Sequence, residues 1–144
     1  MTRINIVPPS ELTDQHLIAE YREITMVPAA LKRTLGSKSG LRKNKISTHY
    51  TLNAGHVYFF YNKGKYLHKR YSQLIEEMHR RGFNPDPNRT FPVEIFKDNG
   101  LYMDWIPTIE DYKIIRERIR QKIAMKPNWY RKTEKIKKAL TRIV

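Results

Sequence analysis

The stretch NKGKYLHKRYSQLIEEMHRRG, residues 62–82, carries the clearest helical pattern in the chain. Its apolar side chains recur at the three- and four-residue spacing of a single helix face. They are Leu67, Tyr71, Leu74, Ile75 and Met78. Gly82 follows at once, and glycine readily adopts the left-handed conformation that ends many helices. The spacing therefore predicts a helix from about Asn62 to Arg81 with one face against a core.

A second helical pattern lies upstream of this stretch. It begins near Ser10 or Thr13, since either residue is a suitable N-cap, and it runs towards Leu35–Gly36. Pro28 lies inside the pattern, lacks a backbone N–H and restricts the residue before it. We therefore expect the helix to be kinked or interrupted after Val27.

A third helix is predicted after Pro107. Thr108 and Asp111 have the spacing of a capping box, and Pro127 marks the end of the helix. Its apolar stripe consists of Ile109, Tyr112, Ile115, Ile119 and Ile123. A shorter helix from about Thr133 to Arg142 is also possible.

The remaining segments favour a mostly helical fold. The polar and basic run GSKSGLRKNKIS reads as a loop, and FNPDPNRTFP, residues 83–92, is a connector punctuated by proline. GHVYFFY, residues 55–61, has the composition of a strand but no evident partner, so we expect it to be buried in an irregular conformation. With no repeat and no linker, 144 residues suit one compact all-α domain of three main helices with long loops.

Charge is the strongest indication of a partner. The chain has 28 Lys and Arg against 14 Asp and Glu, which gives a net charge of +14. Such an excess favours binding to a polyanion, and nucleic acid is the partner that we expect over a basic protein with no special ligand. No apolar run is long enough to span a membrane.

The residue types also exclude several kinds of chemistry. The absence of cysteine excludes disulfides, zinc–thiolate sites and cysteine nucleophiles. The five histidines lack an obvious ligand spacing, so we expect no metal site and no cofactor.

The helix that contains residues 14–26 presents two faces. An apolar arc should face the core, and it holds Leu17, Ile18, Tyr21, Ile24 and Thr25. The opposite arc holds Gln15, His16, Ala19, Arg22, Glu23 and Met26. A solvated helix face has the same composition. However, a carboxylate repels phosphate, so a lone acid among cations on a DNA-facing surface suggests chemistry.

Thr2 is the other candidate for chemistry. A small second residue lets aminopeptidases remove Met1, which would leave Thr2 as the amino terminus. An α-amine has a reference pKa of about 7.7–8.0, so a useful fraction is neutral and nucleophilic at pH 7. Thr2 is also simply a common second residue.

Short motifs along nearly the whole chain resemble the phage and viral pyrimidine-dimer DNA glycosylase/AP lyase family. The most specific are TRIN at residues 2–5 and AEYRE at 19–23. The others are SEL at 10–12, DQHL at 14–17, KIS at 45–47, AGHV at 54–57, FFY at 59–61, RGFN at 81–84, KIA at 122–124 and WY at 129–130.

The resemblance implies a mainly α-helical domain whose extended amino terminus lies between helices. It implies that the α-amine of Thr2 is the nucleophile and that Glu23 is its acid/base partner. The residues that it assigns to DNA binding are Arg3, Gln15, His16, Arg22, Arg118 and Lys122. The expected function is removal of a base from cyclobutane pyrimidine dimers in duplex DNA, coupled to strand cleavage through a Schiff base, by a monomer without cofactor.

Two positions depart from the family pattern. Met26 stands where the family has an arginine that contacts DNA, and from about residue 131 the tail is basic where the family tail is rich in tyrosine. Two interpretations of this basic extension are open. It adds nonspecific phosphate contacts, or it is simply a solvated helix. The rival function is a noncatalytic DNA-binding protein of the same fold, which would not need an unblocked Thr2.

Overall fold

The structure, a computed structural model, describes residues 3–133. Within this range six α-helices follow one another, and short 3-10 turns lie at Pro9–Glu11, Lys43–Lys45 and Phe60–Asn62. The helices are α1 (Asp14–Glu23), α2 (Met26–Leu35), α3 (His56–Phe59), α4 (Gly64–Arg81), α5 (Glu94–Asp98) and α6 (Ile109–Met125). The described residues form no strand, only an isolated bridge between Lys63 and Tyr102. The predicted all-α class is confirmed.

Helix α4 is the centre of the fold, as its sequence pattern predicts. Four of the five apolar positions of the predicted face are buried, and Ile75 is partly buried. Gly82 ends the helix with φ of 89°. At the other end, a Cβ on Gly64 would come within 2.4 Å of the Phe96 ring, so only glycine lets α5 pack this closely on α4.

The interruption between α1 and α2 lies earlier than predicted. Thr13 caps α1 as expected, because its side chain accepts a hydrogen bond from the backbone N–H of His16. The break comes at Ile24 and Thr25 and not after Val27. Proline lacks an N–H and its ring clashes with the carbonyl four residues before it, which for Pro28 is that of Ile24. The disturbance therefore falls one turn upstream of the proline.

Residues 56–61 are buried or half-buried, as predicted, whereas Gly55 is exposed. Their conformation is helical and not the predicted irregular one. They form α3 and the 3-10 turn Phe60–Asn62, with Phe59 and Phe60 at 1% and 0% exposure. Buried backbone groups need hydrogen-bond partners. With no strand in the described range to pair with, these residues satisfy them in local helical turns.

Helix α6 has the predicted start and end. Thr108 and Asp111 form a complete capping box, and the helix ends at Met125, two residues before Pro127. Ile115 of the predicted apolar stripe is fully buried, but Ile109, which the stripe also included, is 74% exposed. Ile109 is the first residue of the helix and lies beyond the edge of the core. The helix predicted from Thr133 to Arg142 lies outside the described residues apart from Thr133 itself.

The amino-terminal segment, residues 4–7, lies between α1 and α4, as the resemblance implies. All four residues are buried, with Ile4 and Val7 at 0% exposure. Two ion pairs, Arg70–Glu20 and Arg81–Asp14, join α4 to α1 beside it. No helix within the described range is both long and apolar enough to cross a bilayer.

Candidate active site

A cleft of about 270 Å³ opens between the amino-terminal segment, α1 and α6. It is lined by Arg3, Asn5, His16, Ala19, Glu20, Glu23 and Lys122. Four of the residues predicted for the site, Arg3, His16, Glu23 and Lys122, are therefore brought together, although they lie far apart in the sequence.

Helix α1 supplies one wall of this cleft. His16, Ala19, Glu20 and Glu23 follow one another at the three- and four-residue spacing that places side chains on one face. The polar arc predicted from the sequence contained three of them and missed Glu20. Within residues 3–133, no side chain donates a hydrogen bond to the Glu23 carboxylate, whereas Glu20 is fully engaged.

The backbone of the amino-terminal segment is held by side chains from three directions. The N–H of Ile4 donates to Nε2 of His56 at 2.8 Å, and the carbonyl of Ile4 accepts from the Tyr50 hydroxyl at 2.9 Å. The N–H of Asn5 donates to Oε1 of Glu20 at 3.0 Å. The Arg70 guanidinium donates to the carbonyl of Val7. These hydrogen bonds fix the position of the backbone that directly follows Arg3.

Glu20 and Arg70 form the buried centre of this arrangement, with 1% and 2% exposure. Arg70 donates through Nε at 2.6 Å and through a second nitrogen at 3.0 Å, and the side chain of Asn5 donates to the same carboxylate at 2.9 Å. Burial by itself lowers the pKa of Arg70, but the Glu20 carboxylate outweighs it and raises that pKa. Arg70 therefore keeps its positive charge in the core.

Sequence reasoning missed this pair, although one signal for it was present. Arg70 lies between Leu67 and Leu74 at helical spacing, on the face of α4 that the apolar pattern sends into the core. A charged side chain on such a face needs a buried partner of opposite charge. The sequence does not say which carboxylate supplies it.

Positive charge surrounds the cleft. Burial lowers the pKa of Arg3, and the charge of Arg118 lowers it further, while Glu23 acts in the opposite direction. Burial and then the charge of Arg3 lower the pKa of His16. The cleft therefore combines closely spaced cations with the Glu23 carboxylate, which accepts no hydrogen bond from the cationic side chains of residues 3–133.

Three other predicted DNA-binding residues lie outside the lining of the cleft. Arg118 donates to Oδ1 of Asn53 at 3.2 Å on the α6 side. Arg22 is exposed on α1. Gln15 is bonded to the backbone of residues 129 and 131. Thr2, the predicted nucleophile, lies outside the described residues.

A separate basic surface extends from the end of α2 into the following loop. Residues 24–75 contain no Asp or Glu. The exposed cations of this stretch that lie closest together in sequence are Lys32, Arg33, Lys38, Arg42, Lys43 and Lys45. Because no acidic side chain of the same stretch offsets them, this basic surface attracts polyanions.

The described residues offer no ligand set for a metal. Within residues 3–133, no three His, Asp or Glu side chains lie close enough together to hold a metal ion.

One known family matches the sequence. The model described as pyrimidine dimer DNA glycosylase matches residues 1–91, which is more than half of the chain and includes α1, α2, α4 and most of the lining of the cleft. The chain belongs to this family. It is accordingly a DNA glycosylase of DNA repair, and DNA is its substrate.

Proposed function

We propose that this protein excises the base at cyclobutane pyrimidine dimers in duplex DNA and then cleaves the strand as an AP lyase. The nucleophile is the α-amine of Thr2, exposed once Met1 is removed, and Glu23 is the acid/base group. Arg3, His16 and Lys122 surround the reacting nucleotide in the cleft. Arg22 and Arg118 act further out on the DNA.

The observation that carries this proposal is that Arg3 and Glu23 line the same cleft. Thr2 directly precedes Arg3 in the sequence, and consecutive Cα atoms are about 3.8 Å apart. An amine at the start of this chain therefore begins within one residue of a cleft that holds Glu23, a carboxylate to which no side chain of residues 3–133 donates a hydrogen bond. A family match alone would not explain why that carboxylate is kept among cations.

The chemistry uses only groups of the chain and the DNA. The neutral amine attacks C1′ of the 5′ nucleotide of the dimer, an N–C1′ bond forms, and the base leaves with the electrons of the glycosidic bond. Loss of the amine protons and opening of the sugar ring, assisted by Glu23, give an imine. Glu23 then takes a proton from C2′, and the freed electron pair expels the 3′ phosphate by β-elimination.

The surrounding charge suits both steps. Cations near an amine disfavour its protonated form and lower its pKa, so Arg3 and its neighbours would increase the neutral fraction at pH 7. The same cations bind the phosphates on either side of the lesion. The chain acts as a monomer, with residues 1–144 as one domain and a basic extension from about residue 131.

Replacing Glu23 tests this proposal, with Glu76 as the control. Glu23→Gln should bind duplex DNA with a single dimer as the wild type does, but lose about 10²–10⁴-fold in single-turnover strand cleavage, the usual contribution of a positioned acid/base group. Glu76→Gln changes an exposed glutamate on α4 and should leave both unchanged. Full cleavage by Glu23→Gln would refute the role of Glu23, and the absence of cleavage by wild type would favour the binding-only rival.

A further inference from the structure

The segment Trp129–Thr133 lies along the start of α1 and is tied to it at several points. The backbone N–H of Asp14 donates to the carbonyl of Arg131 at 2.6 Å. The Asp14 carboxylate accepts from both the N–H and the hydroxyl of Thr133, at 3.0 and 2.6 Å. Arg81 of α4 donates to the same carboxylate at 2.9 Å. The segment is thereby anchored to the buried ion pair that joins α1 to α4.

Gln15 holds the segment at a second point. Its Nε2 donates to the carbonyl of Trp129 at 2.6 Å, and its Oε1 accepts from the N–H of Arg131 at 3.0 Å. The two ends of one amide thus bind the backbone on both sides of Tyr130. A side-chain amide used in this way fixes the direction of the residue between its two contacts.

Tyr130 is directed onto His16 by these contacts. The two rings are stacked with centroids 4.8 Å apart and an interplanar angle of 9°. His16 lines the cleft, and its other restraint is Thr13, whose hydroxyl lies 2.7 Å from Nδ1. The tyrosine is therefore the outer support of His16, a residue that lines the cleft.

We propose that Gln15 and Asp14 are positioning residues, which hold Trp129–Thr133 against α1 so that Tyr130 stays stacked on His16 at the edge of the cleft. This inference rests on the proposed function, because it assigns the stack to the recognition of the damaged nucleotide. It differs from the expectation that Gln15 contacts DNA, since both polar ends of Gln15 already bind the chain itself.

The two roles of Gln15 predict different results. Removing a side chain that contacts phosphate lowers affinity for every duplex, damaged or undamaged, because phosphate contacts carry no sequence information. Removing a residue that only positions Tyr130 should leave affinity for undamaged duplex unchanged and lower affinity for duplex that carries a lesion. Other substitutions that release the same segment should have the same effect.

Gln15→Leu, Thr133→Val and Tyr130→Ala test this, with Gln73→Leu as a matched change at an exposed glutamine of α4. The first three should each reduce the preference for dimer-containing over undamaged duplex, by about tenfold for Gln15→Leu if its loss equals one good hydrogen bond. Their affinity for undamaged duplex should equal that of wild type. Gln15→Leu and Thr133→Val combined should lose less than the sum of the single effects, because both release one segment.

Titration of the His16 ring by NMR gives a readout that needs no activity. Because burial lowers the pKa of His16, freeing Tyr130 should raise it towards its ordinary value in Gln15→Leu and Thr133→Val, as in Tyr130→Ala. An unchanged His16 titration, or a Gln15→Leu variant that loses as much affinity for undamaged duplex as for dimer-containing duplex, would overturn the inference. If wild type does not cleave dimer DNA, the proposed function fails, while the His16 titration still tests the attachment of the segment.

Discussion

Residues 4–7 and residues 36–45 both lie outside the α-helices, but they are built in opposite ways. The first segment is buried, and its backbone is bound by His56, Tyr50, Glu20 and Arg70. The second is mostly exposed, cationic and held chiefly by contacts within its own turns. A reaction needs atoms placed to within a fraction of an ångström, whereas attraction of a polyanion needs only charge.

This difference predicts how each region responds to substitution. Removing one of the side chains that bind the backbone of the buried segment leaves a polar or charged group without a partner, which is costly in the low-dielectric interior. Removing one cation from the basic surface changes little in the folded chain, because water solvates what is left. Stability and geometry should therefore depend on the first region, and salt-dependent affinity on the second.

Arg70→Met should have the largest effect on stability. It strands the Glu20 carboxylate in the core, and breaking a buried ion pair from one side costs about 3–5 kcal/mol. The free energy of unfolding in urea measures this. The neighbouring Lys69 is the matched control, since it pairs with Asp104 at the surface with 54% and 40% of the side chains exposed. Lys69→Met should cost at most about 1 kcal/mol, and equal losses would contradict the contrast.

His56→Phe should have a smaller effect on stability. It keeps an aromatic ring but removes the acceptor of the Ile4 N–H, and an unsatisfied buried donor costs about 1–3 kcal/mol. His56→Gln offers an oxygen in a similar place and should recover part of the loss in the free energy of unfolding. If both variants are equally stable, the hydrogen bond to Ile4 contributes nothing measurable.

The same histidine predicts a pH dependence. Burial, and further the charge of Arg3, lowers the pKa of His56 below its ordinary value; Glu20 opposes this, as does the carbonyl of Thr51 that faces Nδ1. The unfolded chain then takes up the proton first as the pH falls. The contribution of His56 to stability is therefore complete above about pH 6.5 and is lost as the pH drops through the lowered pKa. His56→Gln should flatten that part of the stability curve, while the contribution of His16, whose pKa is also lowered, remains.

Neutralising the basic surface should have the smallest effect, and only on binding. Lys43→Gln should leave stability within about 0.5 kcal/mol of wild type. If Lys43 contacts a phosphate, the slope of log affinity against log salt on undamaged duplex should fall by about 0.9. Fluorescence anisotropy at several salt concentrations measures this slope. A Lys43→Gln variant that unfolds more easily would show that the surface is not the solvated one described above.

Local signals in the sequence were sufficient for much of the fold. The stripe of α4, the Gly82 terminus and the Thr108–Asp111 capping box depend on residues within a few positions of one another, so their patterns carry the information. The break at Ile24 also has a local cause, because Pro28 disturbs the helix at the carbonyl four residues before it. The predicted position of this break was one turn too late.

The site was predicted less completely, because its contacts join distant parts of the chain. The polar arc of α1 identified His16 and Glu23 as candidate site residues. It did not predict the ion pair between Glu20 and Arg70, because these residues are 50 positions apart in the sequence. Arg81 suited a helix carboxy terminus by sequence alone, yet it is 3% exposed and bound to Asp14. Nothing local to Gln15 indicates that its partners lie more than a hundred residues away.

Borohydride trapping on a duplex with a single pyrimidine dimer examines the reacting amine most directly. The chain that begins at Thr2 should give a covalent protein–DNA adduct, and peptide mapping should place it on the nitrogen of Thr2. A chain that retains Met1 should give much less adduct, because its amine is displaced by one residue from the cleft that holds Glu23. No adduct with the processed chain, or an adduct mapped to a lysine side chain, would contradict the proposed mechanism.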